Sequence, residues 1–241
     1  MLSITQPIPS VTAVTTCNMK KALPVILSVT FGTAVLLFII TFSIGLPIYC
    51  RFFYYMQIEP LGIPETTGYE YSQIKFAYDQ VLDFLTLPNR EFGTGVFKYS
   101  QSGMEHFVDC KVLFDLNVTV LIISTVIIAT ILILQKCKVV TLARPFGLSP
   151  AFISAVSIFV IGAILGLVIA IDFDSAFTTF HHLFFPGKDN WTFNPHYDEI
   201  ILALPQEFFL SCAVLIGASI ILISVGIIVY QLVNKKLKNK R

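Results

Sequence analysis

Four long runs without a charged side chain dominate this sequence: Ala22 to Cys50, Leu116 to Gln135, Pro145 to Ile171 and Phe208 to Asn234, of 29, 20, 27 and 27 residues. A bilayer core about 30 Å thick takes roughly 20 helical residues rising 1.5 Å each, so every run is long enough to cross it. Backbone groups in hydrocarbon find no water, so each span must close its own hydrogen bonds as a helix. Buried helices of a soluble domain do not reach this number and length in 241 residues that are 55% hydrophobic and only 13% charged. The expected fold class is an all-α polytopic membrane protein. Its four transmembrane helices fall at 20–50, 116–135, 147–171 and 208–232. A small extracytoplasmic domain is formed by the 51–115 and 172–207 segments, and a tail at 1–19, a loop at 136–146 and a basic tail at 233–241 complete the chain.

Charge gives the orientation. Ten of the 16 Lys and Arg sit at Lys20, Lys21, Lys136, Lys138, Arg144 and in the C-terminal "KKLKNKR". Positive residues flanking spans stay cytoplasmic, which places both termini and the 136–146 loop inside. All 15 Asp and Glu, and all four His, lie in the two other segments. The ionisable chemistry is therefore expected outside. Residues 1–19 carry no charge and many Ser and Thr, and read as a loose tail. The five scattered cysteines form no Cys-x-x-Cys pair and read as free thiols.

Within 51–115, "YEYSQIKFAYDQVLDFLTLP" sets Ile74, Phe76, Ala77, Val81, Leu82 and Leu85 near helical spacing before Pro88. An amphipathic helix lying on the membrane or roofing a small domain is expected there. The stretch with Gly93 and Gly95 reads as extended, and "GAILG" in the third span as a helix-packing face.

Depth connects the two outer segments. His106 lies nine residues before Asp115, the last charge ahead of the second span, and His181 nine residues after Asp172, the first charge beyond the third. As helix, nine residues cover about 13 Å, so both imidazoles reach the level of lipid headgroups and ester bonds. Histidine moves protons near neutral pH. The sequence holds no G-x-S-x-G, no H-E-x-x-H and no phosphate-cradling G-x-x-x-x-G-K-[ST], which sets aside serine hydrolases, zincins and ATP-driven machines. Spans free of charge also set aside an ion-coupled transporter. His182 and His196 read as structural or solvent-facing, and a zinc site of His106, His181, His196 and Asp198 is chemically allowed but lacks compact ligand spacing.

Two blocks carry a resemblance: "SQSGMEHFVDCKVLF" running into a span, and "FHHLFFPGKDNWTFNPHYDEIILALPQEFF" between two spans. They are similar to the bacterial four-span integral membrane family that includes the lipoprotein intramolecular transacylase, over most of the chain from residue 20 onward. Cys110, where a small aliphatic is usual, and the long N-terminal tail depart from the pattern.

The resemblance implies transfer of one acyl chain from the diacylglyceryl group of a lipoprotein to the α-amine of its own N-terminal cysteine. The partners are then diacylglyceryl-modified lipoproteins and membrane lipid, with no nucleic acid, nucleotide or cofactor. His181 is expected as principal base. His106, oriented by Asp109, is expected as second acid/base or oxyanion donor. Trp191, Phe184 and Phe185 would wall the acyl chains, and Lys111 would meet a lipid phosphate or anchor the second span. Another membrane-surface acyltransferase or lipid-ester hydrolase would use the same histidines with a different acceptor. A non-enzymatic sensor or assembly factor would use the clusters only to bind.

Overall fold

The computed structural model describes residues 11–238 of the chain. Four helices long and apolar enough to cross a membrane form a bundle: α1 (Val11–Tyr49), α5 (Gln101–Lys136), α6 (Pro150–Ile171) and α9 (Gln206–Lys238). Five shorter helices stand at one end: α2 (Phe52–Tyr55), α3 (Ile63–Thr67), α4 (Tyr71–Thr86), α7 (Phe173–Phe184) and α8 (Ile200–Ala203). The tail expected at 1–19 falls largely outside the described residues, and from Val11 onward the backbone is already helical. All four cysteines whose side chains are described are free.

α1 is the hub and packs on α5, α6 and α9. Phe31, Val35 and Ile39 of α1 meet Ile131 of α5 and Ile158 of α6 in a small buried cluster. Lipid tails are as apolar as these side chains, so close approach and interhelical hydrogen bonds decide the pairing. Gly32 lets α6 come so near that a Cβ would stand 3.2 Å from the Ser154 hydroxyl, which donates to the Gly32 carbonyl at 2.7 Å. Asn117 of α5 donates to the Thr41 carbonyl of α1 at 3.2 Å. In the "GAILG" stretch only Gly162 serves packing, against Ile220 of α9; Gly166 has no neighbour within 4 Å.

The cap has a core of its own. Tyr54 and Tyr78 stack with centroids 3.8 Å apart, and Phe208 of α9 meets Tyr54 edge-on at 5.0 Å. α4 is an amphipathic helix, as its spacing predicts, and it roofs the cap. Ile74, Ala77, Tyr78, Val81, Leu82 and Leu85 are buried, while Phe76, expected on that face, is exposed. Tyr78 takes the inward position, four residues after Ile74 on the stripe. The Gly93–Gly95 stretch is coil and turn, not strand: Gly95 adopts φ +59° and donates to Gln80 Oε1 at 2.7 Å. A Cβ there would press on Ala77 of α4.

Two features of the long helices place the chemistry. α5 has 36 residues, about 54 Å of helix, nearly twice the hydrocarbon thickness. Its uncharged C-terminal part spans, so the turns carrying His106 stand clear of it, rigidly continued from the span. At the end of α6 the chain breaks at Asp172 (φ −151°), whose carboxylate accepts from the Ser175 amide at 3.0 Å and caps α7. α7 thereby leaves the axis of α6 and turns His181 toward α5.

Candidate active site

The structure brings His106 and His181 together, with ring centroids 5.8 Å apart. Both are buried, at 6% and 7% exposure. Aromatic rings enclose them. Phe185 meets His106 edge-on at 4.9 Å and Phe193 does so at 5.5 Å. Trp191 stacks on His181 at 4.7 Å.

Each imidazole is held differently. His181 Nδ1 lies 2.8 Å from the Phe177 carbonyl one turn earlier in α7. A carbonyl only accepts, so Nδ1 carries the proton and the neutral ring keeps its lone pair on Nε2. Burial pushes the His181 pKa below the ordinary histidine value, the Phe177 hydrogen bond works against that push, and neighbouring His182 adds to it. His106 Nε2 faces the Cys110 sulfur at 3.4 Å, and its buried Nδ1 has no hydrogen-bond partner among the described residues.

Asp109 stands one turn along from His106 but does not bond to it. Its carboxylate accepts from Lys188, and from Asn190 Nδ2 at 3.0 Å. The Lys188 carbonyl accepts from Trp191 Nε1 at 3.0 Å. The physical reason is local: an exposed ammonium and an amide compete for the carboxylate, and charge-assisted bonds from Lys188 outweigh one from a buried neutral ring. Asp109 thus ties α5 to the 186–191 turn that lays the indole on His181.

The other expected residues divide. Phe185 is buried between the two imidazoles. Phe184 is 46% exposed and packs on Phe180; with Leu183 it forms an outward apolar stripe on α7. It does not line the histidine site. Lys111 neither reaches outward for a phosphate nor points along the span. Its ammonium donates to the Phe84 and Leu87 carbonyls, closing the C-terminal end of α4 where the helix dipole favours a cation. His182 meets Trp191 edge-on at 5.4 Å and is exposed, as is His196. The four residues weighed as zinc ligands do not assemble, since buried Asp198 is engaged elsewhere.

That engagement is a feature the sequence reading missed. Asp198 Oδ1 accepts from the Ser100 amide at 2.8 Å, at the N-terminus of α5, while Ser100 Oγ caps Gly103 at 2.9 Å. A carboxylate there is favoured by the helix dipole. Next to it Glu199 holds both the Lys98 amide and ammonium at 3.0 Å. Gly103 leaves room for the clamp: a Cβ would run into Asp198 Oδ1 and stand 3.1 Å from Phe193 Cε1. The only sequence signal for this was a glycine inside a helix-forming stretch, three residues before His106.

Known proteins resemble the chain along most of its length. The family model for "Lipoprotein intramolecular transacylase Lit" matches residues 29–209. The membrane integral lipoprotein intramolecular transacylase Lit from Bacillus cereus superposes with TM-score 0.77 at 26% identity, covering 90% of this chain and 96% of that one. A variant of the same protein with one histidine replaced by alanine superposes with TM-score 0.74 at 25% identity, over 94% and 99% of the two chains. No curated protein matches the sequence.

Proposed function

We propose a two-histidine proton shuttle for this chain, which belongs to the Lit family of lipoprotein intramolecular transacylases and is a multi-pass membrane acyltransferase. It moves an acyl chain from the diacylglyceryl group of a lipoprotein to the α-amine of that lipoprotein's N-terminal cysteine. Donor and acceptor belong to one substrate, so holding them in place supplies effective molarities of about 10⁵–10⁸ M. Exchange of an ester for an amide runs downhill, and no nucleotide is needed.

The observation that carries the roles is the pairing of the imidazoles at 5.8 Å with opposite nitrogens engaged. His181, with Nδ1 committed to Phe177, presents Nε2 as general base. A free α-amine has a pKa of about 7.7–8.0, so part of it is already neutral at pH 7. As its nitrogen bonds to the ester carbonyl carbon, one N–H proton passes to His181 Nε2. The C–O bond to the glyceryl group then breaks, and His181 returns that proton to the leaving oxygen. The products are an amide and a glyceryl hydroxyl, and the base is regenerated.

His106 supplies the oxyanion donor. An unpartnered, buried Nδ1–H carries a desolvation cost of about 1–3 kcal/mol, which is recovered when the tetrahedral oxyanion accepts its hydrogen bond. Trp191 and Phe185 wall the reacting ester, and Asp109 positions Trp191 through Lys188. Lys111 and Phe184 serve the fold and the bilayer contact. The histidine site lies on the outer face and both termini are cytoplasmic, a reading supported by the segregation of acids from flanking cations.

The test is expression in a host lacking other N-acylating enzymes, with mass spectrometry of lipoprotein N-termini. The expected product is N-acylated lyso-lipoprotein. Free fatty acid with an unmodified amine would instead identify a hydrolase.

A further inference from the structure

The end of the bundle opposite the histidines carries a groove of about 570 Å³ between α1 and α6. We propose that this groove binds an anionic phospholipid, with one acyl chain along it and the phosphate on Arg144.

The groove fits a chain of one leaflet. Its α1 wall runs from Val25 to Leu36, twelve residues or about 16 Å, close to half of a roughly 30 Å core. Two of its four hydroxyls are turned away from an occupant. Ser28 Oγ donates to the Pro24 and Ala143 carbonyls, and Ser154 Oγ to those of Gly32 and Pro150. What remains for a ligand is largely hydrocarbon, including Val29 and Ile153, with the exposed hydroxyls of Thr33 and Ser157 beside it. Gly32 gives the groove its floor by bringing α1 and α6 into contact.

The mouth is cationic and fixed. Arg144 lines it, is exposed and makes no ion pair among the described residues. The loop is stitched to α1 beside it, since the Ala143 amide donates to Pro24 and the Ala143 carbonyl accepts from Ser28. Two residues on, Phe146 is 96% exposed and held at φ +56°, an unfavourable conformation for a bulky residue. A large ring presented in this way enters the interfacial layer and sets Arg144 at headgroup depth. No acid anywhere in the sequence falls at this end of the bundle, because all lie between Glu59 and Glu207 in the two segments of the opposite end. No acidic side chain is therefore at hand for Arg144, and at this depth a lipid phosphate supplies the anion. Lipid phosphates stand at both faces of the membrane, so the anion is present whichever face this end occupies.

The full chain, purified and exposed to phosphatidylglycerol and phosphatidylcholine of identical acyl chains, is examined by native mass spectrometry. One basic side chain near a membrane surface is worth about 1 kcal/mol, so wild type should retain phosphatidylglycerol about fivefold better. Arg144→Gln should abolish that preference, while Lys138→Gln, outside the groove, should keep it. Ser157→Phe, which fills the groove from a lipid-facing position, should lower retention of both lipids. Equal retention by wild type, or a preference that survives Arg144→Gln, overturns the proposal. An equal loss in Lys138→Gln overturns it too, by showing a diffuse basic surface. Undiminished retention in Ser157→Phe removes the groove from it.

Discussion

Trp191 lies nearly flat on His181, with ring centroids 4.7 Å apart and planes inclined by 26°. The indole is fixed by its own N–H to the Lys188 carbonyl, and the imidazole by Nδ1 to Phe177. A stacked, tethered ring has one free nitrogen and one orientation, which is what a proton shuttle requires.

His181→Ala is therefore expected to lower acyl transfer by about 10²–10⁴-fold, the range of general acid–base catalysis, and His106→Ala to do nearly the same. His182→Ala and His196→Ala should retain most activity, because both rings are exposed and neither forms part of the pair. The readout is the mass of lipoprotein N-termini, with membrane insertion verified for each variant. Loss in His182→Ala and not in His181→Ala would show that the wrong imidazole carries the proton.

The pH profile follows from burial. The proposed role of His181 as base requires it neutral, and desolvation lowers its pKa from the ordinary value of about 6.5. The lowered value means that the base survives as pH falls through 6.5 and is lost only below it. The rate should show an upper inflection from the substrate amine near 7.7–8.0 and a lower one, from His181, beneath 6.5. A lower inflection at or above 6.5 rejects His181 as a buried base.

Gly103→Ala touches no reacting group, yet the added methyl displaces Asp198 from the Ser100 amide. Loss of that buried carboxylate's bond costs about 1–3 kcal/mol. Thermal unfolding in detergent should register the loss, with activity falling alongside because the clamp anchors the helix bearing His106. Unchanged stability would remove the clamp from the account.

Thiol labelling checks sidedness. Cys50 and Cys137 are exposed at opposite ends of the bundle. In a Cys17→Ser background, an impermeant maleimide on intact cells should modify Cys50 and spare Cys137 until the membrane is opened. Labelling in the reverse order places the histidines on the cytoplasmic face.

Chelation should leave the purified enzyme's activity intact, since of the four residues weighed for zinc only His106 and His181 stand together, while Asp198 is held by the Ser100 amide. Loss with EDTA and recovery with zinc would argue for a metal.

The spans were legible because crossing hydrocarbon imposes length and an absence of charge, properties a single run displays by itself. The pairing of His106 with His181 was legible from depth, since two residues equally far from the bilayer edge can meet. Partner choice was not. Asp109 turns from His106 to Lys188, 79 positions away, and Asp198 finds Ser100 at a separation of 98. Such bonds depend on how segments return to one another, which local spacing does not encode. Phe184 ends α7 and Phe185 caps it with non-helical backbone, so only the placement of the helix end could say which faced the site.

α7 has two apolar faces, and only one has protein against it. Phe177 packs on Phe209 and Asp174 bonds with Gln206, while Phe180, Leu183 and Phe184 look away from the molecule. The helix bearing the proposed base thus rests on the bundle on one side and offers an exposed apolar surface to the bilayer on the other. Its height is tuned jointly by the bilayer and the protein, so turnover will track the thickness of the host membrane, and micelles will report a slackened enzyme.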